Sequence, residues 1–266
     1  MPFHVNDLLL ASNSLMEFRA RAVSPHHERF AFPFFSGTYF AYRKVDVLRV
    51  AAIARSVSGD PTLLDVGCGY GDFLARLREF VPMAEGLEAD SAIFYALGRP
   101  KPDHIHTGDA NFLDRSFDCI FVGWIEPGQD FRDGVASKTD IIVTTLDQGI
   151  SLAAEFDGHG FERVASWRTP SWEDVNIEVM NRYYSRGLSD YQRKLLGEFR
   201  GAHNLWHVYC RPWLSESLRE ALSDTVMNEN SASRYDFEGV LDECGFGYME
   251  KLDSCQDRLW QVVYHS

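Results

Sequence analysis

The sequence predicts an α/β protein built on a doubly wound, mostly parallel sheet, and three observations carry that prediction. Leu63, Leu64 and Val66 form a short apolar run ending in Gly67, Gly69 and Gly71, after which Phe73, Leu74 and Leu77 recur at helical spacing. Two later runs, Ser116–Trp124 and Asp140–Leu146, read as buried strands. Strand and helix patterns alternate from Val45 to Leu146, which is the order that lays helices over both faces of a parallel sheet.

The stretch Leu63–Leu74 organises the rest. Glycine has no Cβ, so the backbone at Gly67, Gly69 and Gly71 can turn tightly and come close to a ligand. Strand, glycine turn and helix together make a nucleotide pocket at the carboxyl end of a parallel sheet. A dinucleotide fingerprint starting at Gly67 needs a third glycine at position 72, which is Asp72, so a nicotinamide oxidoreductase is disfavoured. The pattern is instead Asp-x-Gly-x-Gly-x-Gly, with Asp65 two residues before the first glycine.

That pattern resembles the first motif of class I S-adenosylmethionine-dependent methyltransferases. The resemblance covers Val45 to Leu146. It implies a Rossmann-like methyltransferase fold with an antiparallel last strand and an added cap. It also implies S-adenosylmethionine as cofactor, with Asp65, Gly67, Cys68, Gly69 and Gly71 around it.

The remaining segments follow in order. Asn6–Arg21 has the spacing of an amphipathic helix that stops at Ser24-Pro25. The aromatic stretch Phe30–Tyr42 covers an edge of the core or forms a lid over the site, with Tyr39 and Tyr42 as the candidates for touching substrate. Val45–Val57 is the helix before the first strand, and Ser58–Pro61 turns the chain into it. Met83–Asp90 is a short strand ending in acids. Glu88, 17 residues beyond Gly71, falls near the offset of about 20 at which a carboxylate meets a ribose, and it matches the family's second motif. Asp90 is the alternative, although it suits a helix N-cap better. By resemblance, Asp109 takes the adenine amino group, Ala110 lies near the ring and Trp124 ends the fourth strand beside the cofactor. His104 and His106 read as surface or sheet-edge histidines.

Ile125–Asp130 then lines the reaction site by resemblance. It is not the Asn/Asp-Pro-Pro-Tyr of enzymes that methylate exocyclic amines of nucleobases, and no Pro-Cys or Thr-Cys pair is present. Glu126 is the first candidate for a general base and for contact with the acceptor, followed by Asp147, His159 and His207.

Two sets of elements can close the sheet. The early set is a helix at Leu152–Phe156 with strands at Phe161–Arg168 and Asn176–Tyr183. The late set is a helix at Phe237–Cys244 with strands at Tyr248–Leu252 and Arg258–His265. The late set is preferred, because Glu-Cys-Gly-Phe resembles the family's helix-to-strand junction. The expected division is then a lid over 1–44, a core over 45–150 and 236–266, and an inserted substrate cap over 151–235. The alternative core closes near 185 and leaves 186–266 as an appendage. Strand-like runs in the insert include Trp206–Arg211, and its many rings are expected to form the core of the cap.

Composition narrows the function. A net charge of −13 and a pI near 5.1 argue against a surface that holds a phosphate backbone. Five cysteines without Cys-x-x-Cys spacing fit a reduced cytoplasm, no zinc-type cluster is visible and no metal is expected. No apolar run is long enough to span a bilayer. The expected activity is in-line methyl transfer to a small-molecule acceptor. The alternatives are an RNA or protein methyltransferase and a non-catalytic S-adenosylmethionine-binding scaffold.

Overall fold

The computed structural model describes residues 40–92, 94, 100–123, 130–147, 156–171, 174, 190, 204–228, 234–235, 238–243, 245–248 and 258–266. In chain order the elements are α1 (Lys44–Arg55), β1 (Leu63–Val66), α2 (Asp72–Leu77), β2 (Ala84–Glu88), β3 (Ile105–Thr107), β4 (Cys119–Gly123), α3 (Arg132–Ala136), β5 (Ile141–Asp147), β6 (Glu162–Thr169), β7 (Asn204–Cys210), α4 (Ser215–Asn228), α5 (Glu238–Glu243) and β8 (Val263–Tyr264). Short 3-10 turns stand at Ala110–Phe112 and Pro212–Leu214.

The eight strands form one sheet in the order β3-β2-β1-β4-β5-β7-β6-β8. β1 pairs in parallel with both β2 and β4, β2 with β3, and β4 with β5, while β8 runs antiparallel to β6. This is the predicted α/β architecture: a mostly parallel, Rossmann-like sheet with an antiparallel last strand. The strand order reverses between β1 and β4, and the crevice at such a switch point is where open α/β sheets bind ligands.

The described residues fall into two compact units. The sheet unit comprises Lys44–Trp167, Leu205–Ser233 and Val262–Ser266. Its central strands β1, β4 and β5 are buried on both faces because both are covered. On one face, Leu64, Val66, Ile120, Val122 and Ile142 pack with Val135 and Ala136 of α3 and with Phe156 and Tyr209. On the other, aromatic rings run in series: Phe73 lies 4.9 Å from Phe121, Phe121 lies 5.8 Å from Trp206, and Trp206 stacks on Trp167 at 5.2 Å. The Trp167 indole N–H donates to Asp46 Oδ1 at 2.8 Å, and the guanidinium of Arg49 lies over the indole 5.1 Å from its centroid. Arg49 and Asp46 are themselves 3.6 Å apart and fully buried, so α1 carries its ion pair inside. α1 also packs on α4.

The second unit draws on the described parts of Met1–Arg43, Arg168–Asn204 and Arg234–Gln261. Its centre is Arg43. Arg43 donates to Asp242 Oδ1 at 2.6 Å and to the Phe246 carbonyl at 3.0 Å, lies 3.5 Å from Glu238 and sits over the Trp260 ring at 4.6 Å. Trp260 takes φ +67°, an uncommon value for a residue with a side chain. Its backbone N–H donates to the Arg168 carbonyl and its indole N–H to the Phe246 carbonyl.

The closure of the sheet differs from expectation. β7 at Asn204–Cys210 and β6 at Glu162–Thr169 follow β5, so the strand-like run at Trp206–Arg211 belongs to the sheet and not to an insert. Burial explains it: Trp206, Val208, Tyr209 and Cys210 are fully enclosed, and Trp206 needs the Trp167 ring. Part of the preferred late set does something else. α5 belongs to the second unit, where Glu238 and Asp242 neutralise the buried Arg43. Among the described residues of the late strands, Val263–Tyr264 joins the sheet, at its far edge. Asn176–Tyr183 and most of Tyr248–Leu252 lie outside the described residues.

Candidate functional site

The glycine turn follows β1 at the switch point. Gly67, Gly69 and Gly71 take φ of +73°, +56° and +81°, the left-handed region that L side chains rarely enter. Gly71 is further constrained, because a Cβ there would come within 2.7 Å of Ile105 Cδ1. It caps the amino end of α2, whose first backbone bond runs from Ala75 N–H to the Gly71 carbonyl at 2.9 Å.

The backbone N–H groups of the turn are used internally. Gly67 and Cys68 both donate to the Leu87 carbonyl, at 2.9 and 3.3 Å, and Gly71 donates to the Cys68 carbonyl at 2.9 Å. Gly69 donates to the Glu88 carboxylate, Oε2, at 2.8 Å. The other carboxylate oxygen of Glu88 accepts from the Asp90 N–H at 3.1 Å. Glu88 therefore holds two stretches of backbone at once, the turn and the end of its own strand. Its main-chain carbonyl accepts from Gly108, which ties in the segment after β3.

Asp65 stands on β1 between Gly86 of β2 and Phe121 of β4. It is 2% exposed. Burial pushes that group well above the usual carboxylate range, and the charges of Asp72 and Glu88 push it further the same way. The Cys68 thiol is raised first by burial and then by Asp65 and Glu88, so it is not poised to react. The sequence reading passed over Gly86, which makes the Cys68 position possible. A Cβ on Gly86 would lie 2.6 Å from Cys68 Sγ and 2.8 Å from Leu74 Cδ2. A glycine inside a strand was the available signal.

Asp109 Oδ1 accepts from the Asn111 N–H at 2.9 Å and caps the turn that begins at Ala110, and Ala110 is buried. Asp90 accepts from the Ala92 N–H at 2.8 Å, as an N-cap does. β4 ends at Gly123, whose carbonyl would lie 3.4 Å from a Cβ on Gly67. Across from Gly123 on β5 is Thr145, whose hydroxyl is enclosed with no hydrogen-bond partner among the described residues. Sequence reasoning did not single out Thr145.

The sheet unit thus brings together Asp65, Gly67, Cys68, Gly69, Gly71, Glu88, Asp109 and Ala110. Tyr42 lies in the second unit, fully buried, with its ring edge-on to Tyr235. Tyr39, Trp124 and Glu126 lie outside the described residues. One of the candidate bases is placed away from such a role. His159 pairs with Asp133 at 3.1 Å, and its carbonyl accepts from Arg211, whose own N–H donates to Asp140 just before β5. That is the end of the sheet opposite the glycine turn. His207 is buried within β7 beside Tyr209. Among the described residues no group of three or more metal-ligating side chains is found, and no helix is long and apolar enough to cross a membrane.

No protein-family model matches the chain, and no curated protein matches it. Among solved structures it is similar to a magnesium protoporphyrin IX methyltransferase from Synechocystis with bound S-adenosylmethionine. The identity is 14%, over 63% of this chain and 79% of that one, with a TM-score of 0.42. An O-methyltransferase of a polyketide synthase from Brevibacillus brevis, bound to S-adenosylhomocysteine, shares 12% identity over 69% of this chain and 83% of that one, with a TM-score of 0.40. A sugar N-methyltransferase from Streptoalloteichus shares 25% identity over 38% of this chain, with a TM-score of 0.31, and this chain spans only 46% of its length. These likenesses are loose and say nothing of an acceptor.

Proposed function

We propose that the glycine turn binds S-adenosylmethionine and that the chain is a methyltransferase acting on a small-molecule acceptor. One observation carries the reading. The N–H groups of Gly67, Cys68, Gly69 and Gly71 are all spent on protein acceptors, and Asp65, Asp72 and Glu88 surround the turn. A pyrophosphate needs free N–H groups and positive potential. Those four N–H groups are already used and the side chains around the turn are acidic, which suits a nucleoside that carries positive charge in place of phosphate.

Under this reading Glu88 accepts the ribose hydroxyls with the lone pairs that Gly69 and Asp90 leave open. Asp109 and Ala110 face the adenine, Gly67, Cys68, Gly69 and Gly71 let the ligand approach the backbone, and Trp124 borders the site. The sulfonium supplies an already activated methyl group. The chain's part is to hold donor and acceptor in line and to keep water out, which is worth roughly 7–11 kcal/mol of barrier. Glu126 is the proposed base where an acceptor must lose a proton. Tyr39 and Glu126 are the residues proposed to meet the acceptor. The net charge of −13 favours a small molecule over a nucleic acid, and the cytoplasm is the proposed location.

The test is thermal melting with S-adenosylmethionine, S-adenosylhomocysteine and NAD in parallel. Ligand at about 100 times its Kd adds roughly 2.7 kcal/mol, a shift of several degrees for a protein of this size. The two adenosyl compounds are expected to raise Tm and NAD to leave it unchanged. A shift with NAD alone, or with none of the three, overturns the reading.

A further inference from the structure

Thr145 stands near the carboxyl end of β5 in a costly state. It is fully buried, and its hydroxyl has no hydrogen-bond partner among the described residues. A valine of the same shape would fill the position without leaving a buried polar group unpaired. Its partner on β4 is Gly123, a glycine that the fold does not require. Gly67, Gly69 and Gly71 take left-handed backbone, and a Cβ on Gly86 would collide with Cys68 and Leu74. Gly123 shows neither constraint. Its φ is not positive, and among the described residues a Cβ there would lie 3.7 Å from Phe121 Cε1 and 3.9 Å from Thr145 Oγ1, both ordinary contacts. Glycine at 123 thus keeps a place open beside a hydroxyl that lacks a partner.

That place has a fixed relation to the glycine turn. In the sheet β1 is followed by β4 and then β5, so Thr145 stands two strands, roughly 10 Å, from the turn on the side away from Glu88. The turn and the end of β4 adjoin, since a Cβ on Gly67 would meet the Gly123 carbonyl at 3.4 Å. A nucleoside with its ribose on Glu88 and its sulfur over the turn presents its methyl group toward Gly123 and Thr145.

We propose that the Thr145 hydroxyl orients the acceptor: it accepts a hydrogen bond from the N–H or O–H of the atom to be methylated, which lies in the place that Gly123 keeps open. The inference rests on the S-adenosylmethionine reading and deepens it, because it limits the acceptor to a nitrogen or oxygen nucleophile that carries hydrogen. Holding that hydrogen turns the nucleophile's lone pair toward the methyl group. The lone pair forms the new bond to carbon, the carbon–sulfur bond breaks with its pair going to sulfur, and the acceptor's proton leaves to base or solvent. Threonine keeps its own proton throughout.

Calorimetry of the full chain tests it with S-adenosylhomocysteine and with two analogues in which nitrogen replaces the sulfur and carries an aminoethyl or a propyl arm. The first carbon of either arm takes the place of the transferred methyl group, and the terminal amine or methyl reaches the acceptor's place. The measure is the ratio of affinities for the two arms, which cancels changes common to both. Thr145→Val is expected to lower the preference for the amine arm by about tenfold or more. Thr145→Ser, which keeps the hydroxyl, is expected to retain the preference, and Gly123→Ala, which fills the open place, to weaken binding of both arms relative to S-adenosylhomocysteine. Without ligand, Thr145→Val is expected to melt above wild type, because it removes an unpaired buried hydroxyl. A ratio unchanged in the Val variant, a lower Tm for that variant, or refusal of both arms by a wild type that binds S-adenosylhomocysteine overturns this inference and leaves the cofactor reading standing. Absence of binding with all three compounds overturns the cofactor reading and this inference together.

Discussion

Glu88 shows how one side chain can serve a turn and a ligand together. Its carboxylate spans Gly69 and Asp90, so removing it frees the turn as well as the proposed ribose contact. Glu88→Ala is expected to weaken S-adenosylhomocysteine binding by about 1.5–3 kcal/mol, measured by calorimetry. It is also expected to speed amide exchange at Gly69 in the ligand-free protein, which a pure ribose contact would not do. Gly71→Val is expected to fail more severely, since φ +81° and the Ile105 methyl group both oppose a branched side chain. Its signature would be loss of both binding and melting temperature.

The elements repeat the lesson at larger size. The series of rings from Phe73 to Trp167 ends on a hydrogen bond to Asp46 of α1, so the sheet and its first helix share a polar anchor inside an apolar layer. Trp167→Phe keeps an aromatic ring but leaves Asp46 without that donor. The expected cost is about 1–3 kcal/mol for the lost bond, plus a cavity term, read from urea unfolding. The elements α1, β1, α2, β2, β4 and β5 were legible in the sequence because each carries its own signal, apolar runs, glycines that break them and helical spacing between, whereas β3 came with the family resemblance and the short α3 was not foreseen. The acids at positions 65 and 109 were picked out through the family resemblance, and Glu88 also by its offset from the glycine turn. Gly86 and Thr145 were missed because their importance comes from neighbours distant in sequence, the Cys68 thiol for one and the Gly123 backbone for the other. The closing strands were misread on similar grounds. Asn204–Cys210 looks like any aromatic strand until Trp167 is known to stack on Trp206, and Phe237–Cys244 looks like a sheet helix until Arg43 is known to need its acids.

At the scale of the whole molecule, charge and topology act together. A chain with net charge −13 places three of its carboxylates around a turn at the switch point of its sheet. The sheet itself has two ends, and they are finished differently. β3 is only three residues long, which offers little backbone to a neighbour. β6 is eight residues long, and its outer edge is met by Val263–Tyr264 and by the His265 N–H that donates to the Val164 carbonyl. The last few residues of this sequence thus act as a cover strip. A preparation trimmed after Gln261 would lose that strip while keeping every group proposed here to touch the ligand. It is expected to clump through strand-to-strand pairing, visible as high-mass species by light scattering, while the fraction that stays monomeric still binds S-adenosylhomocysteine. A poor yield from such a clone would report sticky molecules and not a ruined pocket, and a purification tag is better placed at the other end of the chain.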